Sequence, residues 1–373
     1  MRMLITGGAG FIGSQLARRL AHDGHSVIVL DNLLSQVHGE APQLDLPDCE
    51  MIRGDICDPE TVGPAMAGVD VVHHLAAETG VGQSQYEIKR YVSTNTYGTS
   101  VVLEAALAAG VGQVVIASSR AVYGEGQQYC PQCRQTFSSA GRNEVDMDAG
   151  RWDIYCPQCS GPVSPTPMKE DETSLAPSSI YGITKLQQEQ LALSVSRTRG
   201  LPVTILRFFN VFGPGQSLRN PYVGVLGTFF RRVLAQLSTE IYEDGLMLRD
   251  FIFVDDVVEV LRASSGNRST FGQTLNVGTG IAVNLQEAAT EMFLALGSKP
   301  DLLVSGRYRV GDVRHAVADI SRLISTLQFR PQVSFVEGLK RYVEWALDNQ
   351  EHAANGRADE QLLSRNLLRQ GGR

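Results

Sequence analysis

Short apolar runs alternate with longer amphipathic stretches over the first 120 residues of the chain. Each run has the length of one buried strand, and each longer stretch, such as residues 93–109, repeats its apolar positions at helical spacing. This alternation predicts an α/β fold with a parallel, doubly wound sheet of the Rossmann type. The predicted strands are residues 3–6, 26–30, 49–53, 69–73 and 113–117.

The alternation stops at Glu125 and resumes near Ser178. Residues 125–170 are rich in Gly, Pro, Gln and Cys and show no sustained period, which indicates an insertion into the first domain. After it, the pattern predicts a strand over residues 202–208. The predicted helices are residues 181–199, 224–237, 284–296 and 333–348.

These patterns predict two domains and a tail. The first domain covers residues 1–212, and a smaller mixed α/β substrate domain covers residues 213–348. A part near residues 250–265 is a candidate for return to the first domain. Residues 349–373 are charged and rich in Gly at their end, so we expect a frayed helix or a disordered tail.

Composition narrows the class of partner. The chain has 373 residues, 43% hydrophobic content and a net charge of −7 without a long basic run, so neither nucleic acid nor an anionic membrane is expected. No apolar run reaches membrane-spanning length, and the first strand leaves no room for a signal peptide, so we expect a cytoplasmic protein. In that reducing compartment the six cysteines should not form a disulfide framework.

The turn after the first predicted strand carries the spacing Gly8-x-Gly10-x-x-Gly13. Such glycines form a tight turn, let the backbone approach a pyrophosphate and let the helix pack on the strand. The second strand ends at Asp31, where a carboxylate accepts from ribose hydroxyls and repels a 2′-phosphate, which favours NAD over NADP. The alternative is a structural turn followed by an incidental Asp.

In a doubly wound sheet, ligands lie over the carboxyl ends of the strands. Small or polar residues at these ends suit a dinucleotide lying across the sheet. Asp55 is a candidate adenine contact or a turn cap, and His73 and His74 are interpreted as packing residues. The candidate cofactor contacts are Gly7, Gly10, Phe11, Ile12, Gly13, Asp31, Asn32, Asp55, Ile56, Leu75, Ala76 and Ala77.

Tyr181 and Lys185 lie one turn apart on a predicted helix. A phenol with a pKa of about 10 is a poor base at neutral pH, but a nearby ammonium favours the phenolate. The pair is therefore suited to take a proton from a sugar hydroxyl while hydride leaves the same carbon. Ser119, at the end of the fifth strand, can hydrogen-bond the same oxygen.

With these residues in this order, the chain resembles the NAD-dependent nucleotide-sugar epimerase/dehydratase family of extended short-chain dehydrogenases/reductases. The resemblance runs from residue 3 to about residue 342. Among the stretches that carry it are Thr6-Gly-Gly-Ala-Gly-Phe-Ile-Gly13, Ser118-Ser-Arg-Ala-Val-Tyr-Gly124, Tyr181-x-x-x-Lys185, Arg249-Asp-Phe-Ile-Phe-Val-Asp255 and Arg309-Val-Gly-Asp312.

The resemblance implies NAD as cofactor, a dTDP- or UDP-sugar as substrate, and a homodimer. It implies catalytic roles for Ser119, Tyr181 and Lys185, and cofactor contacts from Tyr181, Lys185 and Phe208. Two arginines would hold the diphosphate, because a planar guanidinium meets phosphate oxygens in two places; surface solvation is the alternative. The residues implied at the substrate are Ser84, Ser119, Asn210, Arg249, Arg309 and Asp312.

The segment Ser119-Arg120-Ala121 distinguishes among the reactions of the family. The 4,6-dehydratases carry Asp and Glu where this chain has Arg120 and Ala121, and glucuronate decarboxylases carry Glu at the position of Ala121. Without these carboxylates, elimination lacks its proton donor and acceptor. What remains is a 4-epimerase that works through a transient 4-keto sugar. The sequence allows Arg120 either to lie near the substrate or to point away.

Residues 31–39, 80–84 and 220–224, with the cysteine insertion, resemble a subgroup of the family, the dTDP-L-rhamnose 4-epimerases. A dTDP-6-deoxyhexose is therefore the candidate substrate. Two other hypotheses remain: another NAD-dependent nucleotide-sugar enzyme, such as a reductase, dehydrogenase or dehydratase, and a non-catalytic NAD-binding module.

The insertion carries Cys130-Pro-Gln-Cys133 and Cys156-Pro-Gln-Cys159. Each pair can form a knuckle that directs two thiolates at one metal, and two knuckles make the tetrahedral site typical of structural zinc. The separation of the pairs slightly exceeds the usual range, and free or disulfide-linked cysteines are the alternative. Because the insertion lies between Ser119 and Tyr181, we expect this module near the mouth of the substrate site.

Overall fold

The computed structural model of the protein describes residues 1–40, 44–139, 141–220, 222, 224–349 and 357–372. Its strands are β1 (Arg2–Thr6), β2 (Ser26–Asp31), β3 (Cys49–Arg53), β4 (Val71–His74), β5 (Gln113–Ser119), β6 (Gln127–Cys130), β7 (Gln135–Ser138), β8 (Ser164–Pro165), β9 (Val203–Phe208), β10 (Asn210–Phe212), β11 (Thr239–Ile241), β12 (Leu248–Arg249), β13 (Phe251–Phe253), β14 (Thr274–Val277), β15 (Val283–Asn284), β16 (Leu302–Val304), β17 (Arg307–Arg309), β18 (His315–Ala316) and β19 (Leu368–Gln370).

The helices are α1 (Phe11–His22), α2 (Ser35–His38), α3 (Pro59–Ala65), α4 (Val81–Ser84), α5 (Ile88–Tyr91), α6 (Gly98–Ala109), α7 (Glu144–Asp148), α8 (Ile180–Arg199), α9 (Val225–Leu234), α10 (Val254–Ser264), α11 (Leu285–Ala295), α12 (Ser321–Leu327), α13 (Phe335–Asp348) and α14 (Arg357–Ser364). A π-helical turn over Val92–Tyr97 leads into α6, so the predicted single helix over residues 93–109 has two parts.

The core of the first domain is a seven-stranded parallel sheet with the order β14-β9-β5-β4-β1-β2-β3. The predicted α/β fold with a doubly wound sheet is therefore confirmed. All six predicted strands of this domain are present, and their ends differ from the prediction by at most two residues.

Alternate residues of the central strand β1 face opposite sides of the sheet. Met3 and Ile5 pack in one core with Leu16 of α1, whereas Leu4 packs in the other with Val102 of α6. All of these side chains are buried. The central strands thus bury both faces, which explains why they read as continuous apolar runs and not as alternating patterns.

The first domain does not end at residue 212. Strand β14, which lies within the range assigned to the substrate domain, forms the edge of the main sheet beside β9. Helix α10 shares a core with α1, and Arg19 forms an ion pair with Glu259. The predicted return of a part near residues 250–265 corresponds to this helix, and the return continues through β14.

Smaller sheets and helices complete the molecule. Strands β12, β15 and β18 form one small sheet, and β10–β13 and β11–β16 form parallel pairs. The insertion forms an antiparallel sheet of β6, β7 and β8. Helix α7 lies between β7 and β8 in the chain. No helix among the described residues is long and apolar enough to cross a membrane.

The tail differs from its prediction. Residues 357–364 form α14, and β19 pairs with β17 in an antiparallel ladder. Leu362 and Leu368 are buried. The expectation of a frayed helix or a disordered tail is therefore wrong for this part, and residues 350–356 and 373 lie outside the described residues. The error arose because charged residues dominate the segment and its few apolar positions form no long stripe.

Candidate active site

One cavity of about 560 Å³ opens at the carboxyl ends of the parallel strands. It brings together every residue predicted at the cofactor and all but one of those predicted at the substrate. The predicted residues that line it are Gly7, Gly10, Phe11, Ile12, Gly13, Asp31, Asn32, Asp55, Ile56, Leu75, Ala76, Ala77, Ser119, Tyr181, Lys185, Phe208, Asn210, Arg249, Arg309 and Asp312.

The exception is Ser84. It is fully buried, and its hydroxyl donates to the carbonyl of Val81 at 2.7 Å, inside the turn of α4. The neighbouring Gly80, Val81 and Gly82 do line the cavity. The structure therefore brings this loop to the site but not the Ser84 side chain.

The glycine turn is shaped for close approach of another backbone. Gly7 has φ of +68°, and a Cβ at Gly13 would lie 2.3 Å from the carbonyl oxygen of Gly7. Any side chain at either position would therefore distort the turn. The turn leads directly into α1, whose first residues line the cavity, and the N-terminus of a helix is suited to a pyrophosphate.

Asp31 closes the same end of the cavity. Its carboxylate accepts the N–H groups of Ala9 at 3.1 Å and Leu33 at 2.9 Å, which hold it in one orientation. Asp55 lines the cavity and also accepts the N–H of Cys57 at 2.8 Å. Burial alone would raise the pKa of Asp55, but the Cys57 N–H and the Asn32 side chain lower it. Asp55 thus caps a turn, and its place in the cavity lining is compatible with the predicted adenine contact.

Tyr181 and Lys185 begin the long helix α8. The cap is the side chain of Ser179, which accepts the N–H of Gly182. Lys185 is buried, and its Nζ donates to the carbonyl of Ala117 at 2.8 Å. Burial lowers the pKa of Lys185 to about 7.

Burial raises the pKa of Tyr181, while a side-chain hydrogen bond with Ser119 and the positive charge of Arg120 lower it. Arg120 is therefore a cation that acts on the phenol in addition to the predicted ammonium of Lys185. The Lys185 ammonium also donates to the Ala117 carbonyl.

Arg120 lines the cavity and does not point away from it. Its Nε donates to Oδ1 of Asn210 at 3.1 Å, which orients the guanidinium. Burial and the charge of Arg249 lower the pKa of Arg120 to about 10. Arg120 thus brings a positive charge to the end of the cavity that contains Tyr181.

Arg249, Arg309 and the Asp312 carboxylate lie next to Arg120 at this end of the cavity. Arg249 donates to the carbonyl of Arg314 at 3.0 Å and lies 3.4 Å from the Asp312 carboxylate. Burial would raise the pKa of Asp312, but the charges of Arg249, Arg120 and Arg309 hold it below its usual range. The excess of positive charge makes this end suitable for a diphosphate.

Several lining residues had no signal in the sequence. Tyr242 lies under the guanidinium of Arg309, with 4.9 Å between the Arg309 Cζ and the ring centroid. Asp359 and Leu362, from the tail, also line the cavity. None belongs to a motif, and each reaches the site only through tertiary packing. His73 and His74, in contrast, are buried side chains, and burial lowers the pKa of each to about 3, as suits neutral packing residues.

The four cysteines of the insertion converge on one point. Sγ of Cys130 lies 3.5 Å from Sγ of Cys159, and Sγ of Cys133 lies 3.8 Å from Sγ of Cys156. All four sulfurs lie within 4.8 Å of one another. A zinc tetrahedron with bonds of about 2.3 Å has sulfur–sulfur edges of about 3.8 Å, whereas a disulfide is about 2.05 Å long. The donor set fits a closed Cys₄ metal site.

A buried ion network joins the insertion to Asp312, one of the residues predicted at the substrate. Arg142 contacts Glu125 at 2.8 Å and Glu243 at 2.7 Å, and it donates to the carbonyl of Asp312 at 2.8 Å. Arg314, two residues after Asp312 in the chain, pairs with Glu243 at 3.0 Å. Because these groups are almost fully buried, their separation would leave unpaired charges, so the insertion is held firmly against the cavity.

A glycine turn with an acid after the second strand, combined with a Tyr–Lys helix at the ends of a doubly wound sheet, defines a dinucleotide-dependent enzyme of the short-chain dehydrogenase/reductase class. The chain matches the model of the NAD dependent epimerase/dehydratase family over residues 3–142 and 158–278. The protein belongs to that family. The unmatched residues between these stretches lie inside the insertion.

Individual relatives match over nearly the whole chain. The dTDP-L-rhamnose 4-epimerase of Burkholderia thailandensis is 33% identical over 350 residues, which are 92% of this chain and 94% of that protein. The dTDP-glucose 4,6-dehydratase of Streptomyces niveus is 31% identical over 359 residues, 94% of each chain. The structure of MoeE5 in complex with UDP-glucuronic acid and NAD is 32% identical and has a TM-score of 0.75, covering 94% of this chain and all of that one.

Proposed function

We propose that the protein is an NAD-dependent nucleotide-sugar 4-epimerase that acts through a transient 4-keto sugar. The observation that carries the proposal is the segment Ser119-Arg120-Ala121 at the end of β5. This segment keeps the Ser119 hydroxyl, which can hydrogen-bond the C4 oxygen of the sugar. It lacks the acid and the base that elimination of water needs.

The glycine turn, Asp31 and the apolar segment Leu75 to Ala77 are the residues that would hold NAD. The close approach at Gly7 and Gly13 and the fixed carboxylate of Asp31 support this assignment. When bound, NAD accepts a hydride from the sugar and returns it. The charge of Asp31 is unfavourable for a 2′-phosphate, which is the basis for preferring NAD to NADP.

Tyr181 takes the proton of the C4 hydroxyl and later returns it, and Ser119 hydrogen-bonds the same oxygen. The Arg120 charge favours the phenolate of Tyr181. Lys185, whose Nζ donates to the Ala117 carbonyl, completes the catalytic set and contacts the cofactor. Arg249 and Arg309 bind the diphosphate, so that the sugar ring can turn over while the nucleotide stays in place.

The residues of the site give little support for dehydration or decarboxylation of the substrate. Ala121 is buried, and its N–H donates to the Ser119 hydroxyl at 3.2 Å, so this position offers no acid or base. Asp312, the carboxylate in the arginine cluster, is kept ionised by its cationic neighbours and accepts the N–H of Val313 at 2.8 Å. An ionised, paired carboxylate is a poor general acid.

For the sugar, we propose a dTDP-6-deoxyhexose. The support is the similarity over most of both chains to the dTDP-L-rhamnose 4-epimerase of Burkholderia thailandensis. A UDP-sugar is the competing substrate, because the similar structure of MoeE5 contains UDP-glucuronic acid.

We also propose that the Cys₄ cluster holds a structural zinc ion, that the protein is cytoplasmic and that it acts as a homodimer. The sulfur geometry supports the metal. Six free cysteines suit a reducing compartment, and cell fractionation would locate the protein.

The test is to incubate purified protein with dTDP- and UDP-linked 4-epimeric sugars and to read the products by NMR while following NADH absorbance. We expect bound NAD in the preparation, a mixture of C4 epimers and no steady change in NADH. Tyr181→Phe is the matched control, because it keeps the ring and removes the proton acceptor. A 4-keto-6-deoxy product, or steady net NADH turnover, would exclude the epimerase.

A further inference from the structure

The described part of the C-terminal tail, residues 357–372, lies directly on the cavity. Ala358, Asp359, Leu362 and Leu367 are among its lining residues. Leu362 is 1% exposed and packs against Gly82, where an added Cβ would lie 3.3 Å from it. We call this stretch the C-terminal segment. It shields part of the site that the two domains leave open.

An ion pair joins the segment to Arg309. Nη2 of Arg309 donates to Oδ1 of Asp359 at 3.0 Å. The strands β17 and β19 place Arg309 opposite Leu368, so backbone pairing also fixes the base of this side chain. With the Tyr242 ring against its guanidinium, Arg309 is held from three sides. Its Nε remains buried without a hydrogen-bond partner among the described residues.

The segment also holds the loop that follows β4. The hydroxyls of Tyr86 and Tyr222 meet at 2.5 Å, and both contact the Gln361 side chain. The Arg365 guanidinium lies 4.2 Å from the centroid of the Tyr86 ring. These contacts connect the segment to the turn at Gly80 and to the opposite wall at Tyr222, both of which line the cavity.

The other end of the segment docks on the inserted module. The N–H of Gly372 donates to the carbonyl of Asp148 at 2.9 Å, and Arg369 pairs with Glu144 at 2.6 Å. A Cβ at Gly371 would lie 2.4 Å from the ring of Trp152, so only glycine fits there. The segment therefore spans from the module to the cavity.

We infer that the C-terminal segment is a wall of the sugar-nucleotide site and that Asp359 is a positioning residue for Arg309, which binds the diphosphate. The inference rests on the proposed function for the nature of the ligand. A long Arg side chain loses rotamer freedom when it binds, and an arginine already held by Asp359 and Tyr242 has lost most of it beforehand. The carboxylate contacts one Nη and leaves the rest of the guanidinium for a phosphate.

The test is Asp359→Asn, which keeps the shape of the side chain and removes its charge. Binding of dTDP and UDP is measured by calorimetry, and kcat and KM are measured with the sugar that the wild type converts. We expect the Kd for the diphosphate and the KM to rise about tenfold and kcat to change less than about twofold, as for the loss of binding shared by ground and transition states. Glu360→Gln, at an exposed neighbouring acid, should change neither.

An unchanged or lower Kd in Asp359→Asn would overturn the inference. If Asp359 only competed with the phosphate for Arg309, removal of its charge would strengthen binding of the diphosphate. Gly371→Ala tests the wall independently, because its methyl group must displace the segment from Trp152. It should raise the diphosphate Kd severalfold while circular dichroism stays unchanged, and a wild-type Kd would overturn the wall. A wild type that binds dTDP but yields no epimer would refute the proposed function alone; one that binds neither nucleotide would refute both.

Discussion

At the scale of the residue, Arg120 acts on the proposed chemistry through Tyr181. Its positive charge lowers the pKa of Tyr181 against the rise that burial causes. Arg120→Met should therefore raise the pKa of Tyr181. Because turnover needs the phenolate, the rising limb of the plot of kcat against pH should move to higher pH, and kcat at pH 7 should fall severalfold.

The measurement is the pH profile of kcat for three proteins. Arg120→Lys keeps the charge and should keep the wild-type limb, even if it weakens the contact with Asn210. Superimposable profiles for Arg120→Met and the wild type would show that Arg120 does not act on Tyr181. A fall in kcat without a shift of the limb would assign Arg120 to another role.

At the scale of the element, we predict that the fold of the insertion depends on the proposed zinc ion. Among the described residues of 125–170, the buried apolar side chains are Cys130, Met147, Cys156 and Met168, too few for a core of their own. Removal of zinc, or Cys130→Ser, should unfold the module, as in small zinc domains, while the first domain keeps its own core. Because the C-terminal segment docks on the module at Asp148, activity should fall several-fold.

Metal analysis, limited proteolysis and kinetics test this in one series. Fresh protein should contain close to one zinc per chain, and cleavage after zinc removal should begin within residues 125–170. Cys49→Ser is the matched control, since Cys49 is a cysteine of the first domain outside the cluster. A zinc content far below one per chain would rule out the zinc site. Unchanged kinetics after complete removal of zinc would show that the fold of the module does not affect catalysis.

At the scale of the whole molecule, an exposed apolar face suggests how two chains associate. Ile88, Val92, Tyr97 and Ile183 are each at least 40% exposed, and a hydrogen bond of 2.8 Å between Thr96 and Gln187 joins the helices that carry them. We predict that this face is the homodimer interface, with a mass in solution near twice 40.6 kDa. Tyr97→Glu should weaken the dimer about 100-fold, because an unpaired buried carboxylate costs about 3 kcal/mol.

Sedimentation equilibrium measures this directly. Leu294→Glu is the control, since Leu294 is an equally exposed apolar residue on α11 and should leave the dimer intact. A monomeric wild type, or a Tyr97→Glu variant as dimeric as the wild type, would place any association elsewhere.

Much of this architecture follows from short stretches of chain. The strands of the first domain, the glycine turn and the Tyr181–Lys185 helix depend on apolar periodicity and on residues a few positions apart, and the structure has these strands and helices within a few residues of the predicted ends. The two Cys-Pro-Gln-Cys motifs likewise indicated a cluster before their sulfurs were seen together. Local conformation and local chemistry are encoded locally, so sequence reasoning reaches them.

Only the tertiary structure decided which residues from distant parts of the chain come into contact. It directed Arg120 into the cavity, where Asn210 holds it, although the sequence allowed either direction. It carried β14 back to the main sheet and brought Asp359 to Arg309 across 50 positions of the chain. Such contacts depend on the simultaneous packing of many surfaces, and therefore no local periodicity or motif predicts them.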